Sequence, residues 1–457
     1  MHTRREFLKA AGLGALGTVA VGGLTTGGFG SRLFSRSASA ATTTIALAAT
    51  DGYITMPGRD DPNNPADPIY IFGFVPVSPT ASVASLQSTF KGHAQHTAPI
   101  LGFNQEDDVK VTLTNLGLVQ RPDLIDSHTI HWHGFDVPSP LNDGVPEVSV
   151  AVPIGRQLTY FYRPHRPGTY MYHCHFEDVE HVQMGMTSIV FVRPLQDGTA
   201  YTVSMPGGGT KTFTKFAYND GDGSTGYDRH FAILLNEIWS KQHDGDRDIQ
   251  ETIPTDFAPD WYTLNGRAYP QTILPNDDPT GAPTWMTGQL SHTSSGLTTP
   301  NPNFGTDDKS QPNSALIQVN QHDRVLLRLA NLGYTQDSME LPGLPMHVVG
   351  QDASLLRNGS GAGAVDTSYT TDHLYIGPGE ARDVLFDAPA FDPDLPSGSD
   401  TKGTYNVYQF RNRDWRKLAN DGSSENAAPN GLGGMATEVR VYQNTLDPQT
   451  MVSQTYA

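Results

Sequence analysis

Six histidines, a cysteine and a methionine fall into two short runs whose spacing can build a metal site. The first run is His128-Thr129-Ile130-His131-Trp132-His133-Gly134. On an extended strand, residues two apart point the same way, so His131 and His133 can share one metal. His128 is an odd number of residues from both and faces the other side. A strand that offers imidazoles to both faces can bridge two centres. The second run is Tyr172-His173-Cys174-His175, followed by His181 and Met186. Alternation again puts His173 and His175 on one face and Cys174 on the other. Cys174, His181 and Met186, with His128 from the first run, supply a thiolate, two imidazoles and a weak thioether. That is the donor set of a blue copper electron-transfer site, where soft sulfur favours Cu(I) and imidazole tolerates both oxidation states. Zinc is disfavoured, because a thioether is a poor zinc ligand and the clustered histidines exceed one tetrahedral site. A lone cysteine or a lone His-x-His pair is usually a packing feature. Both runs together, each beside its own copy of a repeated framework, favour the metal.

That framework is a duplication. Residues 100–117 recur at 316–333, an offset of 216, and share Asn, Gln, Asp, Val, Leu, Asn, Leu and Gly in register. At the same offset, His131 to Gly134 fall on His347 to Gly350. Gly168-Thr169-Tyr170 recurs as Gly403-Thr404-Tyr405, and Gly185-Met186 as Gly434-Met435. Four blocks in one order mark one unit used twice. Each copy reads as short β-rich runs split by Gly, Pro, Asn and Asp, with strands expected at 109–113, 158–162, 189–192, 325–329 and 439–442. No long amphipathic helical pattern competes. The expected organisation is a first β-sandwich over 41–195, a connection over 196–230, a second sandwich over 231–445 and a tail over 446–457. A Pro/Asn/Thr/Ser-rich stretch, 272–311, reads as a surface loop or oligomer contact.

Composition agrees with an all-β chain: 457 residues with 46 Gly, 33 Pro and 17% charged residues suit loops and a large core rather than a disordered acidic chain. One cysteine excludes an internal disulfide. The formal charge is −18; residues 1–40 carry five basic groups against Glu6, a net +4, so the remainder is 25 − 47 = −22. Such a surface argues against nucleic acid and anionic membrane as partners. Thr3-Arg4-Arg5-Glu6-Phe7-Leu8-Lys9, a Gly-rich weakly apolar stretch and Ala38-Ser39-Ala40 read as a twin-arginine signal cleaved after Ala40. The expectation is export, to a periplasmic, cell-surface or extracellular location, with no membrane span in the mature form. No heme, flavin or nucleotide motif is present.

At these residues the chain resembles the multicopper oxidases, specifically the two-domain type with blue copper in the first domain, relatives of the copper nitrite reductases. The resemblance runs over essentially all of the mature chain. It also includes Asn142-Asp143-Gly144-Val145-Pro146 and Leu264-Asn265-Gly266. It implies an all-β fold of two Greek-key cupredoxin sandwiches in tandem. His128, Cys174, His181 and Met186 would hold type 1 copper. His131, His133, His173 and His175 would be one half of a type 2/3 copper cluster that reduces dioxygen. The His173-Cys174-His175 tripeptide would link the two centres, making these three residues catalytic. The implied reductant is a small molecule, such as a phenol or aromatic amine, or a metal ion, and the implied assembly is a homotrimer in which a neighbour's second domain completes the cluster.

The second copy departs from that pattern. His133 maps to Val349, and His173, Cys174 and His175 map to Tyr408, Gln409 and Phe410. His128 maps to Leu344 and His181 to about Asn430, so at most His347 remains as a cluster ligand. His93 and His96 read either as extra ligands or as part of a loop. Three functions stay open: a laccase-like oxidase, a nitrite-reductase-like enzyme with type 1 and type 2 copper, and a non-catalytic blue copper carrier or storage protein.

Overall fold

The computed structural model describes residues 41–449 apart from 55, 58–67, 250–251, 275–310, 360–362, 422–427 and 429. The expected signal, nearly all of the 272–311 stretch and the end of the tail lie outside the described residues.

In chain order the first part carries β1 (Thr42–Ile54), β2 (Ile69–Pro76), helix α1 (Val83–Phe90), β3 (Leu101–Asn104), β4 (Asp108–Gly117), β5 (His131–His133), β6 (Gln157–Tyr162), β7 (Gly168–His173), helix α2 (Asp178–Met184) and β8 (Thr187–Arg193). These strands form two four-stranded sheets, ordered β2-β1-β4-β6 and β3-β8-β7-β5. β4 shows why the layers close. Val109, Val111 and Leu113 alternate inward to a core shared with Trp132, Tyr160, Tyr172 and Cys174, while Lys110 points to solvent. A hairpin, β9 (Tyr201–Ser204) and β10 (Thr210–Phe213), follows.

The second part begins with β11 (Arg229–Ile238), helix α3 (Ser240–Asp248), β12 (Trp261–Leu264), β13 (Ile317–Asn320), β14 (Arg324–Asn331), β15 (Asp337–Glu340) and β16 (Met346–Gln351). It continues with β17 (Ser354–Leu355), β18 (Tyr369–Thr371), β19 (His373–Ile376), β20 (Ala381–Asp387), β21 (Ser397–Asp400), β22 (Gly403–Asn412) and β23 (Ala436–Tyr442). One sheet runs β12-β11-β14-β20-β16-β17 with β18 on β16; the other runs β13-β23-β22-β15-β19 with β21 on β22. The repeat is therefore real in space for β4 and β14, β7 and β22, and β8 and β23, but β5 pairs with β7 whereas β16 pairs with β20 in the opposite sheet, so the place of β5 is taken by β15. All five expected strand segments lie in strands.

β14 is apolar almost throughout because both its faces are covered. Val325, Leu327 and Leu329 enter the second sandwich's own core, whereas Ala330 joins Ala232 and Leu234 against Ile100, Met171, Ile189 and Phe191 of the first. A second apolar seam sets Ile54, Ile69 and Ile71 against Ile238 and Trp261. Between the sandwiches lies a fully buried polar knot. Thr169 Oγ1 and Tyr218 OH each donate to Asp383 at 2.6 Å, and the Arg328 guanidinium stands 3.4 Å from the same carboxylate. Among the described residues no helix is long and apolar enough to cross a membrane.

Candidate metal centre

Cys174 follows β7 directly and is fully buried. His128 reaches it from a short bridge to Val152, in which the two residues exchange backbone hydrogen bonds of 3.2 and 2.8 Å. His181 returns to it on α2, a seven-residue helix entered through Glu177 (φ 48°) and closed by Gly185 (φ 117°). The two imidazoles present the same atom to the sulfur: His181 Nδ1 lies 3.2 Å and His128 Nδ1 3.9 Å from Cys174 Sγ. The Thr129 N–H donates to the sulfur at 3.4 Å, and the Cys174 N–H donates to the Met186 carbonyl at 3.0 Å. Met186 is fully buried in the same apolar cluster as Cys174. Burial alone would raise the thiol pKa, but His181 and His128 outweigh it and bring it down to about 5. The thiolate in turn, with Asp126, holds His181 well above its ordinary value against the cost of burial. The pocket thus favours the ionised sulfur that metal ligation needs.

One strand further, β5 pairs with β7 so that His131 faces His173, Trp132 faces Tyr172 and His133 faces Met171. Trp132 anchors the strand in the core, which turns both flanking histidines outward to a common side. His131 Nδ1–H donates to the Asp143 carbonyl at 2.7 Å, and His173 Nδ1–H donates to the Cys174 carbonyl at 2.6 Å. These bonds fix the tautomers and leave both Nε2 atoms as donors to a metal. His133 Nε2 stands 2.7 Å from His173 Nε2. His175 completes the group, its ring centroid 5.0 Å from that of His131 and 5.5 Å from that of His173. Burial, then the neighbouring histidines, lower His133 to about 4 and His173 to about 3, so both are neutral, as ligation requires.

The candidate ligands therefore assemble as two sets: His128, Cys174 and His181, and His131, His133 and His173, each with its donor atoms within 4.8 Å of one another. The first offers soft sulfur and imidazole in a dry site and the second imidazole alone, which fits copper at both.

A cavity of about 300 Å³ opens beside His131 and His133, and its far wall is the second sandwich: Asp352, Gly379 and Ala381. His347 is not brought there within the chain. Its Nδ1 meets Thr370 Oγ1 at 3.2 Å, and it lines a separate cavity of about 640 Å³ with Arg324, Leu385 and Phe386. His93 and His96 join neither set among the described residues. Sequence reasoning missed Asp126, whose Oδ1 lies 3.1 Å from His181 Nε2, and Asp352. Neither sits in a histidine run, and only the three-dimensional packing reveals them. The Asn-Asp-Gly motif finds its reason here. Gly144 (φ 76°) lets the chain turn under β5, where any side-chain carbon would meet the Ile130 carbonyl at 2.0 Å, and Asp143 then holds His131.

Two β-sandwiches in tandem, with a thiolate–imidazole pocket in the first, make a cupredoxin-type fold. Residues 80–231 match the sequence model of the multicopper oxidase family, and that segment holds both ligand sets. The similarity to multicopper oxidases thus lies in the first sandwich and the connection that follows it. The chain is 30% identical over 107 residues to Laccase-1 of Emericella nidulans, covering 23% of this chain and 16% of that protein. It is 32% identical over 109 residues to Laccase 1 of Metarhizium acridum, again 23% of this chain and 16% of the relative. The matched stretch is thus about a sixth of the laccases' own length. The blue copper oxidase of Nitrosomonas europaea shares the fold over 91% of both chains, with a TM-score of 0.55 and 19% identity.

Proposed function

We propose that this chain is a copper-dependent oxidoreductase of the laccase-like kind, with type 1 copper held by His128, Cys174, His181 and Met186. The observation that carries the reading is one of connectivity. The only thiol faces two imidazole Nδ1 atoms, while its two sequence neighbours, His173 and His175, turn to the other histidine group. Bound copper would supply one-electron oxidation of a reductant at the thiolate site and reduction of dioxygen at the histidine site. The protein's own part is preorganisation. The buried pocket excludes water from Cys174, and the carbonyls of Asp143 and Cys174 hold His131 and His173 in ligating tautomers. Through His173 and His175 the two sites are joined by a short covalent path. The reductant is a small molecule or metal ion; export by the twin-arginine leader and assembly into a homotrimer belong to the same proposal.

Copper analysis with absorption and paramagnetic resonance spectra tests it. The wild type is expected to show thiolate-to-copper absorption that Cys174→Ser abolishes. His175→Ala is expected to keep the colour and lose oxygen consumption. Colour surviving Cys174→Ser overturns the ligand assignment, and an unchanged oxygen rate in His175→Ala turns the reading into an electron carrier. A second reading, a mononuclear type 2 site as in nitrite-type enzymes, is favoured by His131, His133 and His173, whose ring nitrogens lie within 4.8 Å of one another and could hold a single ion. Two coppers per chain would support it, and four the full oxidase cluster.

A further inference from the structure

The segment carrying His96 runs between the two sandwiches and touches both sides of the Met186 turn. His96 is fully buried, and neither ring nitrogen has a hydrogen-bond partner. Burial, and then the nearby His243, keep the ring neutral, with its pKa down to about 3. One edge of the ring lies on Gly185, where a side-chain carbon would come within 2.3 Å of His96 Cδ2. The other side meets Gly266 of the second sandwich, where a side-chain carbon would come within 2.6 Å of His96 Nδ1. Two residues on, the Ala98 N–H donates to the Thr187 carbonyl at 3.0 Å, and the Pro99 carbonyl accepts from Tyr172 OH at 2.5 Å. The strut is thus bonded or packed against Gly185 and Thr187, the two neighbours of Met186, and against the residue before His173. From behind, Gln311 Nε2 donates to the Gly266 carbonyl at 2.6 Å and fixes the second-sandwich end.

An imidazole without polar partners is costly relative to an apolar side chain of similar shape. Its use here is steric: the flat ring fills a slot between two glycine backbones. We infer that His96 is a positioning residue for the axial thioether, a wedge through which the second sandwich sets how closely Met186 approaches the thiolate site. The inference rests on the proposed ligand set. In such sites the axial ligand tunes the reduction potential, and a more distant thioether stabilises Cu(II) less. Loosening the wedge should therefore raise the potential.

The test is a redox titration of copper-loaded full-length protein against a soluble one-electron mediator, with the absorption spectrum recorded alongside. His96→Ala is expected to move the exchange constant toward the reduced form by about threefold, equivalent to about 28 mV at 59 mV per tenfold for one electron. Gln311→Ala, which removes the bond to the Gly266 carbonyl together with a 3.4 Å contact to Met56 Sδ, is expected to shift it in the same direction by less. His96→Phe restores a flat ring and is expected to return both potential and spectrum toward wild type. If His96→Ala fails to fold, Gln311→Ala decides. Variants that lose thermal stability but keep the wild-type potential and spectrum overturn the inference, as does a failure of phenylalanine to restore them. A wild type without thiolate-to-copper absorption instead overturns the ligand assignment beneath it.

Discussion

Asp383 is the polar joint between the sandwiches, and its removal has a calculable cost. The carboxylate accepts from Thr169 of β7 and from Tyr218, and it faces Arg328 of β14 at 3.4 Å, with both charged side chains at most 1% exposed. The other partners of Arg328 are uncharged, and its Nη1 donates to Thr169 Oγ1 at 3.2 Å. Its Nε donates to His230 Nδ1 at 3.2 Å, its guanidinium carbon lies 4.9 Å from the Phe191 ring centroid, and its Nη2 has no partner. Asp383→Ala strands that cation in a dry interior, a perturbation worth about 3–5 kcal/mol. In urea, with a slope of about 3 kcal/mol/M for a chain of this size, the unfolding midpoint should fall by about 1–1.7 M. The assay is equilibrium denaturation of the metal-free protein, so that copper does not mask the loss. Asp383→Leu combined with Arg328→Met should recover most of the stability, because the desolvation cost leaves with the charge. A midpoint unchanged in Asp383→Ala, or a double variant as weak as the single one, would refute the reasoning.

Glu237 is buried, and burial raises its pKa from 4.5 to about 7 even though it accepts from the Tyr334 and Thr335 N–H groups. The folded state therefore binds this proton more tightly than the unfolded chain. Its contribution is complete below about pH 4.5 and is lost as pH rises through about 7, on the order of 3 kcal/mol in all. Melting temperatures at pH 5 and pH 8 should converge in Glu237→Gln; an unaltered pH slope would contradict this. Gly144→Ala, at φ 76° and 2.0 Å from the Ile130 carbonyl, should cost more than about 1 kcal/mol and empty the histidine set while sparing thiolate-to-copper absorption, as metal analysis and spectra would show. Chelation of copper should lower the melting temperature, since a free ion at a thousandfold its Kd stabilises by about 4 kcal/mol, and Cys174→Ser should retain only the share due to the histidine set.

The ligand runs were legible because they are local. Alternation separates Cys174 from His173 even though Cys174 and His175 lie just past the end of β7, and Trp132 between two histidines marks which face is core. The duplication was legible because strands that close a sandwich need the same inward residues in each copy. What the sequence does not carry is contact between distant segments. Asp126 lies 55 positions from His181 and Asp352 more than 200 from His131, with no periodicity to link them. His347 shows the converse: repeat register aligned it with His131, but its strand pairs with β20 in the opposite sheet and faces a different cavity.

The second sandwich explains its own lack of donors. At the positions that the sequence register aligns with His128, His175 and Met186 stand Leu344, Phe410 and Met435, and all three belong to one buried apolar cluster. The sequence register aligns His133 with Val349, which is buried in a neighbouring cluster with Tyr218 and Leu385. Each such side chain stabilises by about 1.5–3 kcal/mol when fully buried, with no ion required. A donor set does the opposite: it places polar atoms in a dry interior and depends on a metal to offset them. The duplicated unit has thus divided its labour. One copy keeps the costly histidine and thiolate pockets. The other, stable through its own core, walls the histidine cavity with Asp352 and Gly379 and clamps β7 through Asp383. Rigidity of the thiolate–imidazole pocket then depends on a sandwich that contributes none of its side chains.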